Sequence, residues 1–220
     1  MKTIQFIRAI ILGCGLIIAE QQVSAQGTYL SNLNQPVAGN NVLGYGDSAI
    51  FVEFLTGNNA AGYDLNSVQV LMTNATGTPD SGSFMAEILP INQLVTPISV
   101  LSGNSYPSVA GTYTYTAGAN VLLSADTDYW LMLFGHGTDS GDAFQWSYTS
   151  TTDALSSNGW SLTGNVSTGG GVIPASGIPI LAIDATAVPE PNASVLLAAA
   201  GVGLFIVRAG MRKAANATSR

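Results

Sequence analysis

The feature of this sequence that most limits its fold is a stretch of 162 residues, from 26 to 187, that contains no Lys and no Arg. Eleven of the chain's 13 Asp and Glu residues lie in the same stretch. Because it cannot form Lys or Arg salt bridges, buried apolar side chains and backbone hydrogen bonds must stabilise its fold. It also cannot neutralise phosphates, which excludes nucleic acid as a partner. With 220 residues, 47% of them hydrophobic, the chain is long enough for one packed domain or two small ones.

Residues 1–25 have the pattern of a secretory signal peptide. Two basic residues precede the apolar run 9–19, and small residues follow it. This arrangement predicts cleavage by signal peptidase between Ala25 and Gln26. A retained N-terminal anchor is the alternative, but eleven apolar residues span only about 16 Å as a helix, which is too short to cross a bilayer. The chain's one Cys lies in this run, so the exported part is predicted to contain no disulfide.

The C-terminus combines a Pro-containing motif, an apolar run and a basic tail. The motif is Val188-Pro189-Glu190-Pro191, the apolar run is 193–207, and the basic residues are Arg208, Arg212 and Lys213. As a helix the run would span about 22 Å, which predicts a transient or marginal transmembrane segment. The basic tail is expected to stay cytoplasmic, with residues 26–190 on the exported side. The two prolines favour an extended tetrapeptide that a membrane-embedded processing enzyme could bind.

These three features, in this order from Val188 to about Lys213, resemble the PEP-CTERM sorting signal of Gram-negative, biofilm-forming bacteria. The same segment is also labelled an ice-binding protein C-terminal domain. The resemblance implies recognition by an exosortase, a membrane cysteine transpeptidase-like enzyme, followed by removal of the helix and transfer to the cell exterior. The protein would then reside transiently in the inner membrane before it reaches the cell surface or is secreted. An ordinary single-pass C-terminal anchor is the alternative.

Between the two ends, the exported domain 26–187 is predicted to be all-β, as an antiparallel, jelly-roll-like β-sandwich. Short β-rich runs alternate with turns rich in Gly, Asn and Asp. In 112–116 the alternation predicts two tyrosines on one face and three threonines on the other. The sorting signal then occupies 188–213. The predicted strands are Thr28–Leu33, Ala49–Thr56, Ser67–Thr73, Ser83–Ile91, Thr112–Thr116, Val121–Ser124, Tyr129–Phe134, Phe144–Tyr148 and Ile178–Asp184.

Two segments of this domain resemble choice-of-anchor R domains. In 51–68 a strand ending in Thr-Gly precedes a segment of the form GY-x-L-x-S-V, and 123–131 is similar to their L-x-A-x-T-x-YW strand start. Glu53 departs from the pattern, in which a small or polar residue is commoner. The resemblance covers about residues 29 to 184. It implies an extracellular β-sandwich delivered by interchangeable surface anchors, with no established catalytic residues.

His136 is the candidate catalytic residue. It is the only His of the chain, and the exported domain has no Cys or Lys, so a Ser-His-Asp hydrolase would depend on this side chain. Glycines on both sides of His136 favour a solvated turn residue instead. The protein is therefore predicted not to be an enzyme, and a hydrolase that uses His136 is kept as a third hypothesis.

Two acidic pairs, Asp126 with Asp128 and Asp139 with Asp142, are the candidate metal ligands. Their oxygen donors suit Ca²⁺ rather than Zn²⁺. Asp residues in turns also accept backbone N–H bonds, which is the alternative role for all four. No resident cofactor is predicted, and Ca²⁺ is the alternative.

Four aromatic side chains are candidate glycan contacts: Trp130, Trp146, Tyr148 and Trp160. Burial in the core is the alternative explanation for these rings. The sequence as a whole predicts an exported surface or extracellular-matrix-associated structural protein, processed by an exosortase. The alternative function is a module that binds exopolysaccharide or another glycan.

Overall fold

The computed structural model describes residues 25–44, 48–93, 96–103, 106–135, 141–151, 153–168 and 177–190. Within these ranges the chain forms fourteen β-strands and a short 3-10 helix, Ser81–Ser83, but no α-helix. The strands are β1 (Gln26–Ser31), β2 (Gly39–Gly44), β3 (Ser48–Leu55), β4 (Tyr63–Met72), β5 (Phe84–Pro90), β6 (Ser99–Gly103), β7 (Gly111–Thr116), β8 (Leu122–Leu123), β9 (Asp128–Gly135), β10 (Ala143–Thr149), β11 (Leu155–Ser156), β12 (Ser161–Thr168), β13 (Ile178–Pro179) and β14 (Leu181–Ala187).

Every strand pair is antiparallel, and the pairs join into a single sheet. The main path of the sheet runs β11-β1-β14-β4-β7-β6-β5-β9-β3-β12. Beside this path, β10 pairs with β2, β4 and β13, and β8 pairs with β4. The prediction of an all-β antiparallel fold is confirmed, and each of the nine predicted strands overlaps a strand of the structure.

One hydrophobic core is shared by the two ends of this path. Inward side chains of β3, β5 and β9 belong to the same buried cluster as those of β1, β4 and β14. In β7 the two tyrosines point toward this core and the three threonines are exposed, as the alternation predicts. The largest side chains of the core are Trp146, Trp160, Tyr63, Phe54 and Phe144. Residues 26–187, called the body below, contain no Lys or Arg. The burial of these large side chains is therefore a main source of the stability of the body.

The sequence pattern does not predict β2, β6, β11 and β12, and it merges β13 with β14. The sequence of β2, GNNVLG, is rich in Gly and Asn, which are depleted in strands. It is nevertheless extended because all six of its residues pair with β10. Tertiary pairing therefore overrides local propensity at this strand.

Several predicted features fall outside the described residues. They are the signal peptide up to residue 24, the helix 193–207, and His136, Asp139, Pro191, Arg208, Arg212 and Lys213. In the part of the chain that the structure describes, no helix has the length and apolar character needed to span a membrane.

Candidate functional site

The first and last long strands of the body lie side by side, so its two ends meet at one place. Gln26 of β1 is opposite Thr186 of β14. The carbonyl oxygen of Ala25 accepts hydrogen bonds from the Ala187 N–H, at 3.2 Å, and from the Tyr29 hydroxyl, at 2.7 Å. The predicted signal cleavage site is therefore next to the strand that leads into the predicted sorting motif.

The predicted sorting motif begins where the pairing of β14 ends. Val188 is half-buried; its N–H donates to the Gly62 carbonyl at 3.0 Å, and its carbonyl accepts from Nδ2 of Asn59 at 2.8 Å. Pro189 and Glu190, which follow, are exposed. Because Pro189 has no N–H, it cannot continue the ladder. The regular pairing of the body therefore stops at the first residue of the motif.

The loop that holds Val188 is closed by Asn59. Nδ2 of Asn59 also donates to the Gly62 carbonyl, at 2.6 Å, and the Asn59 carbonyl accepts the Gly62 N–H at 2.8 Å. Gly62 has a φ of +84°, in the left-handed region that glycine adopts without strain. The sequence alone does not show the role of Asn59, because Val188 is 129 residues away. The Gly-Tyr pair at 62–63, part of the resemblance described above, is the one feature of the sequence analysis that lies in this loop.

The place where Ala25, Val188 and the loop 59–62 meet is called the junction below. Two core tyrosines contact this junction. Besides the bond from Tyr29 to Ala25, the Tyr63 hydroxyl accepts the Asn59 N–H at 3.1 Å. The centroids of the two tyrosine rings are 5.1 Å apart, and both rings contact Trp160. Burial raises the pKa of the Tyr29 hydroxyl above its usual value. The junction is thus anchored directly in the aromatic core.

The four predicted glycan contacts do not form one surface. Trp146 and Trp160 lie inside the core, where neither ring can stack on a ligand, so the prediction is wrong for these two. Trp146 is buried without loss of its N–H bond, since Nε1 donates to the Ile180 carbonyl at 3.0 Å. Trp130 and Tyr148 are half-buried, on β9 and β10, and these strands are not neighbours in the sheet.

The acidic candidates do not gather into a metal site in the described part of the chain. Asp142 accepts the Thr78 N–H at 3.0 Å through Oδ1, so it bonds the backbone of another loop, 64 residues away, rather than that of its own turn. Asp126 has a φ of +45°, at the turn before β9, and Asp128 begins that strand. Across the described ranges, no three His, Cys, Asp or Glu side chains are placed to hold a metal ion together.

The outward faces at the two ends of the sheet differ in chemistry. Across β1, β14 and β4, the Asp184 carboxylate accepts hydrogen bonds from Thr28, Ser67 and Gln69. Across β3, β9 and β5, in contrast, the outward face is largely apolar. Its buried members are Ala49, Leu89 and Met132, with Phe51, Trp130 and Phe134 packed against them. A strand with one solvated face usually alternates apolar and polar residues. In β3, β5 and β9 most residues on both faces are apolar instead, a pattern that is typical of strands covered on both faces.

Glu87 lies in this apolar face, opposite Met132 of β9 and Val100 of β6. Burial raises the pKa of its carboxyl above 4.5, so the folded state binds the proton more tightly than the unfolded state does. Ionised Glu87 therefore lowers the stability of the fold as the pH rises through the folded-state pKa, and this penalty disappears at pH values below 4.5.

Replacing Glu87 by Gln is accordingly expected to raise the melting temperature at pH 7 and to leave it nearly unchanged at pH 4. Thermal unfolding of the wild type and of Glu87→Gln at both pH values checks this. Asp64→Asn, at an exposed position, is the control that removes one charge without burial. An equal rise at both pH values would contradict the assignment of the penalty to ionised Glu87.

Comparison with known proteins adds no relative to these observations. No protein-family model matches the chain, and no curated protein gives a significant match to it.

Proposed function

We propose that this chain is an exported surface or extracellular-matrix-associated structural protein that an exosortase sorts and processes at its C-terminal signal. The observation that carries the proposal is the position of the motif. The folded body ends at Val188, and Pro189 and Glu190 follow it exposed, directly after the last strand. A processing enzyme could bind these residues without unfolding the body.

The charge of the body supports an exported structural protein rather than an enzyme. Its fixed side-chain charges are all acidic, which favours solubility outside the cell. Glycan binding is not proposed, because two of its four candidate rings lie in the core. A hydrolase is not proposed either, since it would depend on His136, outside the described residues.

We further infer that the sheet is a jelly-roll-like sandwich. One layer would contain β12, β3, β9, β5 and β6, and the other β1, β14, β4 and β7. This division is supported by the order of pairing and by the single core that both sets of strands share. Such a sandwich is a typical form of exported β domains.

Mass spectrometry of the secreted and membrane fractions, from cells with and without the exosortase, tests the proposed function. With the enzyme, the mature protein is expected to begin at Gln26 and to end between Val188 and Pro191. Without it, the chain is expected to stay in the membrane fraction and to end at Arg220. Chains that end at Arg220 in both strains would overturn the proposal.

A matched pair of variants separates recognition of the motif from a general effect of proline. Replacing Pro189 by Ala together with Pro191 by Ala is expected to lower the processed fraction at least several-fold, because the tetrapeptide loses its bias toward an extended form. Pro36→Ala, at an exposed position far from the motif, is the control and should be processed like the wild type. Equal processing of both variants would show that the enzyme does not recognise Pro189 and Pro191.

A further inference from the structure

We propose that Asn59 is a positioning residue that clamps Val188 to the body and thereby sets the point from which the sorting motif projects. This inference rests on the proposed function, which it deepens. The clamp consists of the two hydrogen bonds that hold Val188: its N–H to the Gly62 carbonyl at 3.0 Å, and its carbonyl to Asn59 Nδ2 at 2.8 Å. Both backbone polar groups of Val188 are thus bound to one loop.

The loop is closed by two bonds between Asn59 and Gly62 and is linked to the core by a third. Asn59 bonds Gly62 through its side chain at 2.6 Å and through its carbonyl at 2.8 Å, and the Asn59 N–H donates to the Tyr63 hydroxyl at 3.1 Å. Tyr63 is almost completely buried and packs on Trp160. Displacing Val188 from the clamp would therefore disturb a loop that is fixed to the core, which makes the end of the body well defined.

The clamp does not depend on the predicted signal peptide, whereas the neighbouring bond of Ala187 does. The Ala187 N–H donates to the carbonyl of Ala25, and Ala25 is the residue that cleavage before Gln26 would remove. Once the signal peptide is removed, the Ala25 carbonyl is lost as an acceptor. The two bonds of Val188 involve only Asn59 and Gly62. Both bonds of the clamp are therefore expected to be kept in the exported protein.

The clamp limits where the chain can be processed. The segment that an enzyme can take up begins at Pro189, because Val188 is bound through both of its backbone polar groups. The processed protein then ends no earlier than Val188. Without the clamp, the last residues of β14 would open more often and become accessible to proteolysis.

Limited proteolysis of the full chain, purified in detergent, tests the clamp without the exosortase. Elastase cuts after small residues, and Ala185 and Ala187 are such sites at the end of β14, whereas the Val188–Pro189 bond is protected by the proline. Asn59→Asp keeps the size of the side chain but replaces the donor to both carbonyls by a carboxylate oxygen that repels them. It is expected to increase the rate of cleavage after Ala187 about tenfold or more.

Asn58→Asp is the matched control, since Asn58 is the neighbouring residue, has an exposed side chain and would gain the same charge. Its cleavage rate should equal that of the wild type. Equal rates in all three proteins would overturn the clamp. If Asn59→Asp does not fold, Asn59→Ser, whose hydroxyl is too short to reach both carbonyls, provides the same comparison.

A second measurement keeps the clamp and the proposed function distinguishable. In cells with the exosortase, the wild type and Asn58→Asp should give one C-terminus within Val188–Pro191, and Asn59→Asp should give additional ends before Val188. A wild type that is not processed would refute the proposed function while the elastase rates still decide the clamp. A normal wild-type product together with an identical Asn59→Asp product and unchanged elastase rates would refute the clamp alone.

Discussion

Replacing Trp160 by Ala is expected to lower the free energy of unfolding by about 3 to 5 kcal/mol. The indole ring is buried among aromatic side chains: it stacks on Phe54 at a centroid distance of 5.9 Å and meets the edges of Tyr63 at 5.1 Å. Tyr29 packs on it at 5.5 Å. Removing the ring leaves a cavity that its rigid aromatic neighbours cannot fill, and the cost is a large part of the roughly 5 to 15 kcal/mol that stabilises a typical domain.

Urea denaturation followed by circular dichroism measures this loss, and two variants isolate its cause. Trp160→Phe keeps a ring against Phe54 and removes an indole N–H that has no partner among the described residues, so its cost should be much smaller. Trp130→Ala removes the same side chain from a half-buried position on the outer face and should also cost less. Equal losses for Trp160→Ala and Trp130→Ala would contradict the placement of Trp160 in the core.

The same variant links the core to the junction. Tyr29 and Tyr63, which lose their packing partner in Trp160→Ala, hold Ala25 and Asn59 through their hydroxyl groups. Loss of the Trp160 ring is therefore expected to weaken the junction as well as the core.

The strands that sequence reasoning located are those whose side chains alternate or form long apolar runs. In β7 the alternation also separated the tyrosine face from the threonine face correctly, because every second residue is a threonine. In β9 the pattern predicts that Tyr129 and Trp130 point in opposite directions, which is confirmed: Tyr129 is in the main core and Trp130 packs on the second cluster. Which of the two faces the main core is decided by the strands packed around it, and local sequence does not contain that information.

The candidate site shows the same division between local and distant information. The proposed motif 188–191 and the proposed cleavage point after Ala25 are each short, continuous segments, so both can be predicted by inspection of the sequence. Their proximity depends on the pairing of β1 with β14. The role of Asn59 depends on a contact across 129 residues and on a loop conformation set by Gly62, so only the folded chain reveals it.

Replacing Asn32 by Asp is expected to destabilise the protein strongly at pH 7 and only slightly at pH 4. Asn32 is almost completely buried at the end of β1. Its Nδ2 donates to the Pro179 carbonyl at 3.0 Å, and its Oδ1 accepts the Leu181 N–H at 2.7 Å. It therefore joins β1 to the start of β14, the two strands whose other ends form the junction.

An ionised Asp at position 32 would keep the bond from Leu181 but would place a buried negative charge against the Pro179 carbonyl oxygen. Burial and this repulsion both raise the pKa of the new carboxyl in the folded state above the value of about 3.9 for an unfolded chain. The penalty is thus absent below that value, grows as the pH rises, and is complete above the folded-state pKa, where it should reach about 3 to 5 kcal/mol. In acid, the protonated carboxyl can donate to Pro179 and restore both bonds.

Urea unfolding of the wild type, Asn32→Asp and Asn34→Asp between pH 4 and pH 7 measures this dependence. Asn34 is exposed two residues away, so Asn34→Asp adds the same charge in water and should follow the wild type at each pH. The difference in unfolding free energy between Asn32→Asp and Asn34→Asp should widen steadily as the pH rises. A difference that stays constant would mean that the residue at position 32 is solvated, and the attachment of β1 to β14 described for the junction would then be incorrect.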